Sequence, residues 1–391
     1  MKLWSPDSDT DSRIEAFTVG DDYELDQELV VYDCEASKAH AKMLGAIGIL
    51  ESAEVESLVE ELEKIQAEAE FGEFAISPEQ EDCHTAIEER LTESLGDTGK
   101  KIHTGRSRND QVVTALRLYY RKQLDSMVKE IDRFNESANA FDERFGEVEI
   151  PGFTHTRKAM PSSMGMWVNA FISGMEDNKI LLESTLEMLD QSPLGAGAGY
   201  GVPLNLDRAM TAEAMGFSRV QENPIATQNS RGKYEATILH GCSMIMLDLN
   251  KMASDLVNYS APAYGFFELP EKLCTGSSIM PQKNNPDVFE LVRAKYHQVA
   301  GWQQQAQNIA ANLQSGYHRD LQLTKEPVMR GLRTTLESLD IMTYALENLG
   351  VNRDRCAESM TAELYATERA YELVKQGVPF RDAYRKISED Y

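Results

Sequence analysis

Three polar segments of the chain carry hydroxyl, amide and cationic side chains where long helical patterns are about to begin. They read HTGRSRND (residues 103–110), PGFTHTRKAMP (151–161) and GSSIMPQKNNPD (276–287). Because the amino end of a helix carries partial positive charge, a cation placed there costs roughly a few tenths of a kcal/mol. The same position offers unpaired N–H groups to an anion. The three segments together therefore favour a ligand with several carboxylates.

Each segment taken singly has a simpler interpretation. Ser, Thr and Asn are common at exposed, well-capped helix starts, so one such segment favours a cap over a ligand site. In the second segment, Pro161 is expected to begin the helix. In the third, Asn285 is expected to cap a helix that begins at Pro286 and has Asp287 in its first turn. The recurrence of cations in all three favours the anion-binding interpretation.

The strongest architectural signal is a segment without Gly or Pro that runs from Asp110 to Phe145. Its apolar residues recur at steps of three and four, which indicates one face of a helix roughly 50 Å long. Further long helical patterns cover residues 161–190, 233–260, 286–313 and 327–349. The sequence therefore predicts an all-α fold built around a bundle of about five long helices.

The helical patterns also predict a domain order. We expect an N-terminal helical domain at residues 1–105, the long-helix bundle at 106–355 and a short helical domain at 356–391. Long helices hold their ends far apart, so the polar segments are expected to meet only when several chains assemble. The sequence thus predicts an obligate oligomer.

Composition excludes several classes of partner. A formal net charge of −25 argues against nucleic acid or an anionic membrane surface, because phosphate binding needs a basic face. No apolar run approaches the roughly 18 residues needed to cross a bilayer, and the first residues lack the apolar centre of a targeting signal. The five scattered cysteines show no CxxC spacing, which predicts free thiols and no metal site. These features favour a cytoplasmic protein.

A glycine-rich segment, SPLGAGAGYGVPLNLDR (residues 192–208), is a weak candidate for a cofactor site. It does not match the GxGxxG fingerprint, and no strand pattern precedes it. We therefore expect a close-packed loop and no dinucleotide.

The motifs together resemble the aspartase/fumarase superfamily. GSSIMPQKNNPD is similar to its signature GSSxMPxKxNP, and Gln282 within it is typical of the argininosuccinate lyase family. HTGRSRNDQV, EDCHTAIEERL and DLQLTKEP are similar to other motifs of that family, and the resemblance covers almost the whole chain. It implies an all-helical homotetramer with a twenty-helix core, whose active sites each draw loops from three subunits. The implied reaction is the reversible β-elimination of argininosuccinate to arginine and fumarate, without metal or organic cofactor.

The resemblance also implies catalytic roles for four residues. Ser277 is implied as the base that removes a proton beside a carboxylate, and Lys283 as a cation that stabilises the resulting aci-carboxylate. His155 matches the family's catalytic histidine, and Glu290 matches its carboxylate partner. They would assist protonation of the leaving guanidine nitrogen, by the imidazole itself or by a bound water.

Nine residues match positions that contact substrate in the family: Arg108, Asn109, Thr154, Asn285, Tyr317, Gln322, Lys325, His84 and Asp26. The chain departs from the family pattern at Asp22, where a serine is usual, and at Asn284, where a second lysine is common. It departs again at Arg157 and Met160, which replace glutamines. Family members usually continue well beyond GVPFRDAYRKI, so the last helical domain looks shortened.

Two alternatives remain at this point. One is a sister lyase acting on another fumaryl adduct, such as adenylosuccinate, against which Gln282 and GRSRNDQ argue. The other is a catalytically silent structural homologue of the crystallin type. Retention of Ser277, His155 and Lys283 argues against that alternative.

Overall fold

The structure is a computed structural model that describes residues 11–390. In chain order its helices and strands are α1 (Ser12–Val19), α2 (Asp22–Leu25), α3 (Val30–Ala46), α4 (Ser52–Glu70), α5 (Cys83–Leu95), α6 (Asp97–Lys100), α7 (Arg108–Phe145), β1 (Glu149–Thr154), β2 (Arg157–Ser163), α8 (Met164–Leu189), α9 (Arg208–Ala214), α10 (Pro224–Asn229), α11 (Lys233–Ser260), β3 (Phe267–Glu268), β4 (Thr275–Gly276), β5 (Asn284–Asn285), α12 (Asp287–Ala310), α13 (Lys325–Asn348), β6 (Gly350–Val351), α14 (Arg353–Ser359), α15 (Ala366–Lys375) and α16 (Phe380–Ser388). The all-α prediction is confirmed, and the five long patterns correspond to α7, α8, α11, α12 and α13.

The chain divides into two compact units. Unit 1 comprises the residues up to Asp125 together with Glu183–Leu239 and Trp302–Arg330. Unit 2 comprises Ser126–Leu182, His240–Gly301 and the residues from Gly331 onward. The predicted order of three consecutive domains stays a prediction, because packing within one chain does not test which segments fold independently.

Helix α7 shows why its sequence forms so long a helix. Its apolar residues from Val113 to Phe141, at the predicted steps of three and four, are buried. At its start, the Ser107 N–H donates to Asp110 Oδ1 (2.8 Å), while the Ser107 carbonyl accepts the N–H groups of Asp110 and Gln111. This reciprocal pairing satisfies backbone groups that would otherwise lack partners at a helix start.

The core of unit 1 is built around α3. Ala36 and Ala39 on this helix pack in one buried cluster with Leu118 of α7 and Ala212 of α9. The small alanine side chains allow neighbouring helices to approach closely. This packing joins α3, α7 and α9 within unit 1, and α7 carries Arg108 and Asn109 of the candidate site described below.

The core of unit 2 is rich in aromatic residues. Phe141 and Phe267 both pack against Trp167, with ring-centroid distances of 6.0 and 5.0 Å, and contact each other at 6.4 Å. The Trp167 indole N–H donates to Asp255 Oδ2 at 3.0 Å, which satisfies the polar atom of an otherwise apolar contact. This cluster ties α7, α8 and α11 together within the unit.

The second polar segment does not lead directly into a helix, so the prediction that Pro161 begins α8 is wrong. Residues 149–163 form an antiparallel hairpin in which Pro151 pairs with Pro161, and α8 starts only at Met164. Proline is tolerated here because both strands of a two-stranded ribbon are edges with unpaired sides. The anion-binding helix start predicted for this segment is therefore wrong as well.

The predicted helix start in the third segment is wrong by one residue. Asn285 lies in β5, and α12 begins at Asp287. The carbonyl of Pro286 accepts the N–H groups of Phe289 and Glu290, so Pro286 is the capping residue and Asn285 is not. Asp287 lies in the first helical turn, as predicted.

The prediction of free cysteines is confirmed for the residues that the structure covers. All five cysteines are free, and four of them are buried. Across residues 11–390, no helix combines the length and the apolar character that crossing a membrane would require. The glycine-rich segment after α8 is the predicted close-packed loop, with Leu194 and Ala196 fully buried.

Candidate active site

Unit 1 contains a cavity of about 130 Å³ that gathers five of the nine predicted substrate-binding residues. These five are Arg108, Asn109, Tyr317, Gln322 and Lys325. Side chains that the sequence analysis did not assign to the site complete the wall: Val19, Asp22, Glu81, Asp82, Val112, Arg231 and Arg319. The cavity thus presents both cations and carboxylates, which suits a ligand that carries both signs of charge.

A buried ion-pair network forms one end of this wall. The Lys325 ammonium lies 2.5 Å from Asp26 Oδ1 and 3.2 Å from Asp22 Oδ1. Burial opposes the charge of Lys325, but the two carboxylates outweigh it, and the pKa of Lys325 lies above its ordinary value. Asp26 also accepts the N–H of Cys83 at 3.1 Å. Asp26 therefore holds the Lys325 ammonium in position but does not itself line the cavity.

Asp22 lies in the cavity wall, at the start of α2. Its pairing with Lys325 only partly offsets the cost of burying its carboxylate. Burial raises the pKa of Asp22 to about 6, and the neighbouring Asp26 adds to the rise although Lys325 opposes it. Near neutral pH the structure consequently holds a carboxylate that its surroundings only partly stabilise.

We predict that Asp22→Asn increases the stability of the protein at pH 8 and leaves it unchanged at pH 4. In the unfolded chain an Asp ionises near pH 3.8, whereas folded Asp22 ionises near pH 6, so wild-type stability falls as pH rises between these values. The gain in the variant should reach about 1–3 kcal/mol above pH 6. Urea unfolding at both pH values checks it, with Asp21→Asn, an exposed neighbour, as control. A gain that is equal at pH 4 and pH 8 would contradict the titration of Asp22.

Arg108 lies in the first turn of α7 and faces the start of α5. Its Nη1 donates to Asp82 Oδ2 at 3.1 Å and its Nη2 to Thr85 Oγ1 at 2.6 Å. Asp82 also caps α5 by accepting the N–H of Thr85. These bonds orient the guanidinium along the cavity wall.

Asp110 anchors this part of α7 to the glycine-rich loop. Its Oδ2 accepts the N–H groups of Gly195 (3.0 Å) and Gly197 (2.8 Å). Gly197 has a φ of +60°, and a Cβ at this position would lie 2.9 Å from the side chain of Val202. Only glycine fits there without strain. By binding Asp110, the glycine-rich loop therefore helps to hold the first turn of α7, which carries Arg108 and Asn109, in position.

His84 matched a family active-site position, but the structure does not place it on the cavity wall. It is almost fully buried in α5, with Nδ1 3.0 Å from Asp33 Oδ1. Burial opposes protonation of His84, yet Asp33 outweighs it and the pKa of His84 is raised. Asp26, Cys83 and His84 have the side chains of a metal site, but the Lys325 ammonium already contacts Asp26.

Tyr317, Arg319 and Gln322 enter the cavity wall from the segment before α13. Gln322 Nε2 donates to the carbonyls of Thr18 and Val19, both at 3.2 Å, and Arg319 donates to the Thr18 carbonyl at 2.7 Å. The Tyr317 ring lies under the guanidinium of Arg231. Sequence reasoning missed Arg231, which lies outside the matched motifs, and Arg319, which lies between the matched residues Tyr317 and Gln322 but was not itself assigned a role.

The signature segment in unit 2 forms a loop whose ends pair. Strands β4 and β5 bring Thr275 opposite Asn285 and Gly276 opposite Asn284. Ser277 Oγ accepts the backbone N–H groups of Met280 (3.1 Å) and Ile279 (3.4 Å). Two N–H donors on one hydroxyl oxygen favour negative charge on that oxygen.

Lys283 and Glu290 lie at the far end of the same loop and in the next helix. Both side chains are exposed, whereas Ser277 and Asn285 are half-buried. Among the described residues, none of the four catalytic candidates forms a hydrogen bond or ion pair with another's side chain. The single chain therefore brings Ser277 and Lys283 into one loop without assembling a catalytic cluster.

His155 lies at the tip of the hairpin formed by β1 and β2. His155 and Thr156 both have positive φ, +52° and +59°, which is the geometry of a two-residue hairpin turn. Non-glycine residues adopt this conformation infrequently, and it concentrates at functional sites. Thr154 and His155 are both exposed at this tip.

Comparisons with known structures identify the fold. EDDS lyase in complex with formate matches 98% of this chain and 76% of its own chain, with a TM-score of 0.80 and 21% sequence identity. A class II fumarase from Schistosoma mansoni matches 96% of this chain and 91% of its own, with a TM-score of 0.78 and 16% identity. The chain has the fold that these two enzymes share.

Sequence comparisons identify the family to which the chain belongs. The Lyase family matches residues 7–301. An argininosuccinate lyase from Thermotoga neapolitana is 50% identical over 390 residues, covering 100% of this chain and 98% of the relative. The chain belongs to the argininosuccinate lyase family.

Proposed function

We infer that the protein catalyses the β-elimination of argininosuccinate to arginine and fumarate. The observation that carries this conclusion is the 50% identity, over nearly the full length of both chains, with a relative named argininosuccinate lyase. The mixed charges of the unit 1 cavity support it, because argininosuccinate has three carboxylates, an ammonium group and a guanidinium. No comparison favours the sister lyase or the silent structural homologue.

We propose Ser277 as the base and Lys283 as the cation that stabilises the aci-carboxylate. The two backbone N–H groups that reach Ser277 Oγ support this role, since they lower the cost of an alkoxide. Removal of a proton beside a carboxylate develops a second negative charge on it, which a nearby ammonium group stabilises. His155, oriented by Glu290, is the proposed source of the proton for the leaving guanidine nitrogen.

We further propose that the protein acts as a cytoplasmic homotetramer in which several copies contribute to each site. The exposure of His155, Lys283 and Glu290 supports this, because acid–base catalysis needs groups shielded from water. Thr154 and Asn285 are proposed to contact substrate from these segments. No nucleic acid, membrane, metal or organic cofactor is proposed as a participant.

The test is fumarate release from a panel of adducts, namely argininosuccinate, adenylosuccinate and malate. We expect kcat/KM for argininosuccinate to exceed that for the others by about 10⁴-fold, because a site with buried polar groups rejects ligands that leave them unpaired. Preference for adenylosuccinate would identify the sister lyase. Absence of all turnover in the assembled protein would support the silent structural alternative.

A further inference from the structure

Arg231 is a cation of the unit 1 cavity that matches none of the motif positions implied by the family resemblance. It lies in the turn between α10 and α11, and only 5% of its surface is exposed. Its guanidinium lies over the Tyr317 ring, 5.5 Å from the ring centroid, and Nη2 donates to the Leu321 carbonyl at 3.3 Å. Arg231 is therefore in direct contact with a predicted substrate-binding residue.

The turn that carries Arg231 is rigidly held. Gly232 has a φ of +76°, and a Cβ there would lie 2.3 Å from the Ala310 side chain. The Gly232 N–H donates to Glu235 Oε2 at 2.6 Å, and the Ser230 hydroxyl accepts from the buried Arg117 at 3.2 Å. Arg231 thus has a fixed backbone position before any ligand binds, which reduces the entropy lost on binding.

Of the three other cations of the cavity, two pair with carboxylates, whereas Arg319 is exposed and donates to the Thr18 carbonyl. Lys325 pairs with Asp22 and Asp26, and Arg108 pairs with Asp82. In the part of the chain that the structure describes, no carboxylate lies within ion-pair distance of Arg231, and its buried Nε has no hydrogen-bond partner.

Glu235 is a counter-charge that interacts with Arg231 through space. The Glu235 carboxylate is committed elsewhere, because it accepts the Gly232 N–H and the Tyr120 hydroxyl. A buried guanidinium without a hydrogen-bonded anion is costly, and a ligand carboxylate would relieve that cost. Arg231 is therefore equipped to bind an anion that the chain itself does not supply.

We propose that Arg231 binds the α-carboxylate of the arginine half of the substrate. This assignment rests on the proposed function. The same cavity carries Asp22, Glu81 and Asp82, which suit the cationic groups of that half. The reacting succinyl half must instead meet the proposed base Ser277, which does not line this cavity.

The test compares binding of arginine with binding of agmatine, which is arginine without its α-carboxylate. Calorimetry would measure both ligands on the wild-type protein, on Arg231→Gln and on the milder Arg231→Lys. Arg330→Gln is the matched control, because Arg330 is exposed, pairs with Glu326 and lies outside the cavity. Circular dichroism and light scattering would verify that each variant folds and assembles like wild type.

We expect wild type and Arg330→Gln to bind arginine about 10- to 100-fold more tightly than agmatine. In Arg231→Gln this ratio should fall to about one, with agmatine binding unchanged. If Arg231→Gln fails to fold, Arg231→Lys replaces it in the test. An arginine-to-agmatine affinity ratio at least about threefold below that of wild type would then support the proposal. An unchanged ratio in the folded Arg231 variants would overturn it.

The wild-type measurements separate the inference from the proposed function. Turnover of argininosuccinate together with equal affinities for arginine and agmatine would overturn the role of Arg231 and leave the lyase activity in place. Failure of wild type both to turn over argininosuccinate and to bind arginine would remove the proposed function and, with it, the inference.

Discussion

Replacing Ser277 by alanine is expected to lower kcat by about 10²- to 10⁴-fold, the usual contribution of a general base. The Ser277 oxygen accepts two backbone N–H groups, and an alkoxide at this position is accordingly less costly than at an ordinary serine. Alanine removes the hydroxyl oxygen that is proposed to take the proton. Because Ser277 acts in the proposed chemical step, KM should change little. Steady-state kinetics of fumarate release measures both constants.

Ser278→Ala is the matched control for this variant. Ser278 is the adjacent hydroxyl, it is exposed, and it should retain activity within a few fold of wild type. Both variants must show the same mass by light scattering as wild type, so that altered assembly is not mistaken for altered chemistry. Equal activity in the two variants would show that Ser277 is not the base.

Replacing Lys325 by methionine is expected to lower the free energy of unfolding by about 3–5 kcal/mol, the usual cost of breaking a buried pair from one side. Asp26 is fully buried, and its Oδ1 lies 2.5 Å from the Lys325 ammonium. Without that ammonium, Asp26 must remain a buried, unpaired charge or take up a proton. Urea unfolding at pH 7 measures the loss.

Two further variants sharpen this test. Lys295→Met breaks an exposed pair with Glu337 and should cost no more than about 1 kcal/mol. The double variant Lys325→Met with Asp26→Asn removes the stranded charge, so it should recover part of the stability lost in the single variant. A loss in Lys325→Met no larger than that in Lys295→Met would contradict a structural role for the network.

The long helices were predictable because their signal is local. The apolar residues of α7 recur at helical spacing over its whole length, and the periodic stripe is the surface that becomes buried. The segment predicted at 233–260 coincides with α11, Lys233–Ser260. Helix starts were less accurate, as Pro161 and Asn285 illustrate.

The hairpin tip that carries His155 escaped prediction for a physical reason. Its turn places His155 and Thr156 at positive φ without the Asn-Gly or Asp-Gly pair that usually marks such a turn. Pro161, a residue typical of a helix start, here pairs across an edge strand.

The cavity wall depends on contacts between residues far apart in the chain. Asp26 and Lys325 are separated by 299 positions, and no local pattern indicates that their side chains meet. Arg231 lies outside every matched motif, and the only available signal was an arginine before Gly232 at a helix start. The family resemblance identified five of the residues that line the cavity. The structure was needed to add Arg231 and to show that Asp26 and His84 do not line it.

The most direct measurement is the product balance of purified wild-type protein supplied with argininosuccinate. Mass spectrometry would follow loss of the substrate and formation of arginine and fumarate over time. An argininosuccinate lyase must form the two products in equal amounts, because one C–N bond breaks in each turnover. Equal amounts are the predicted result. Fumarate without arginine, or no product from folded and assembled protein, would contradict the account.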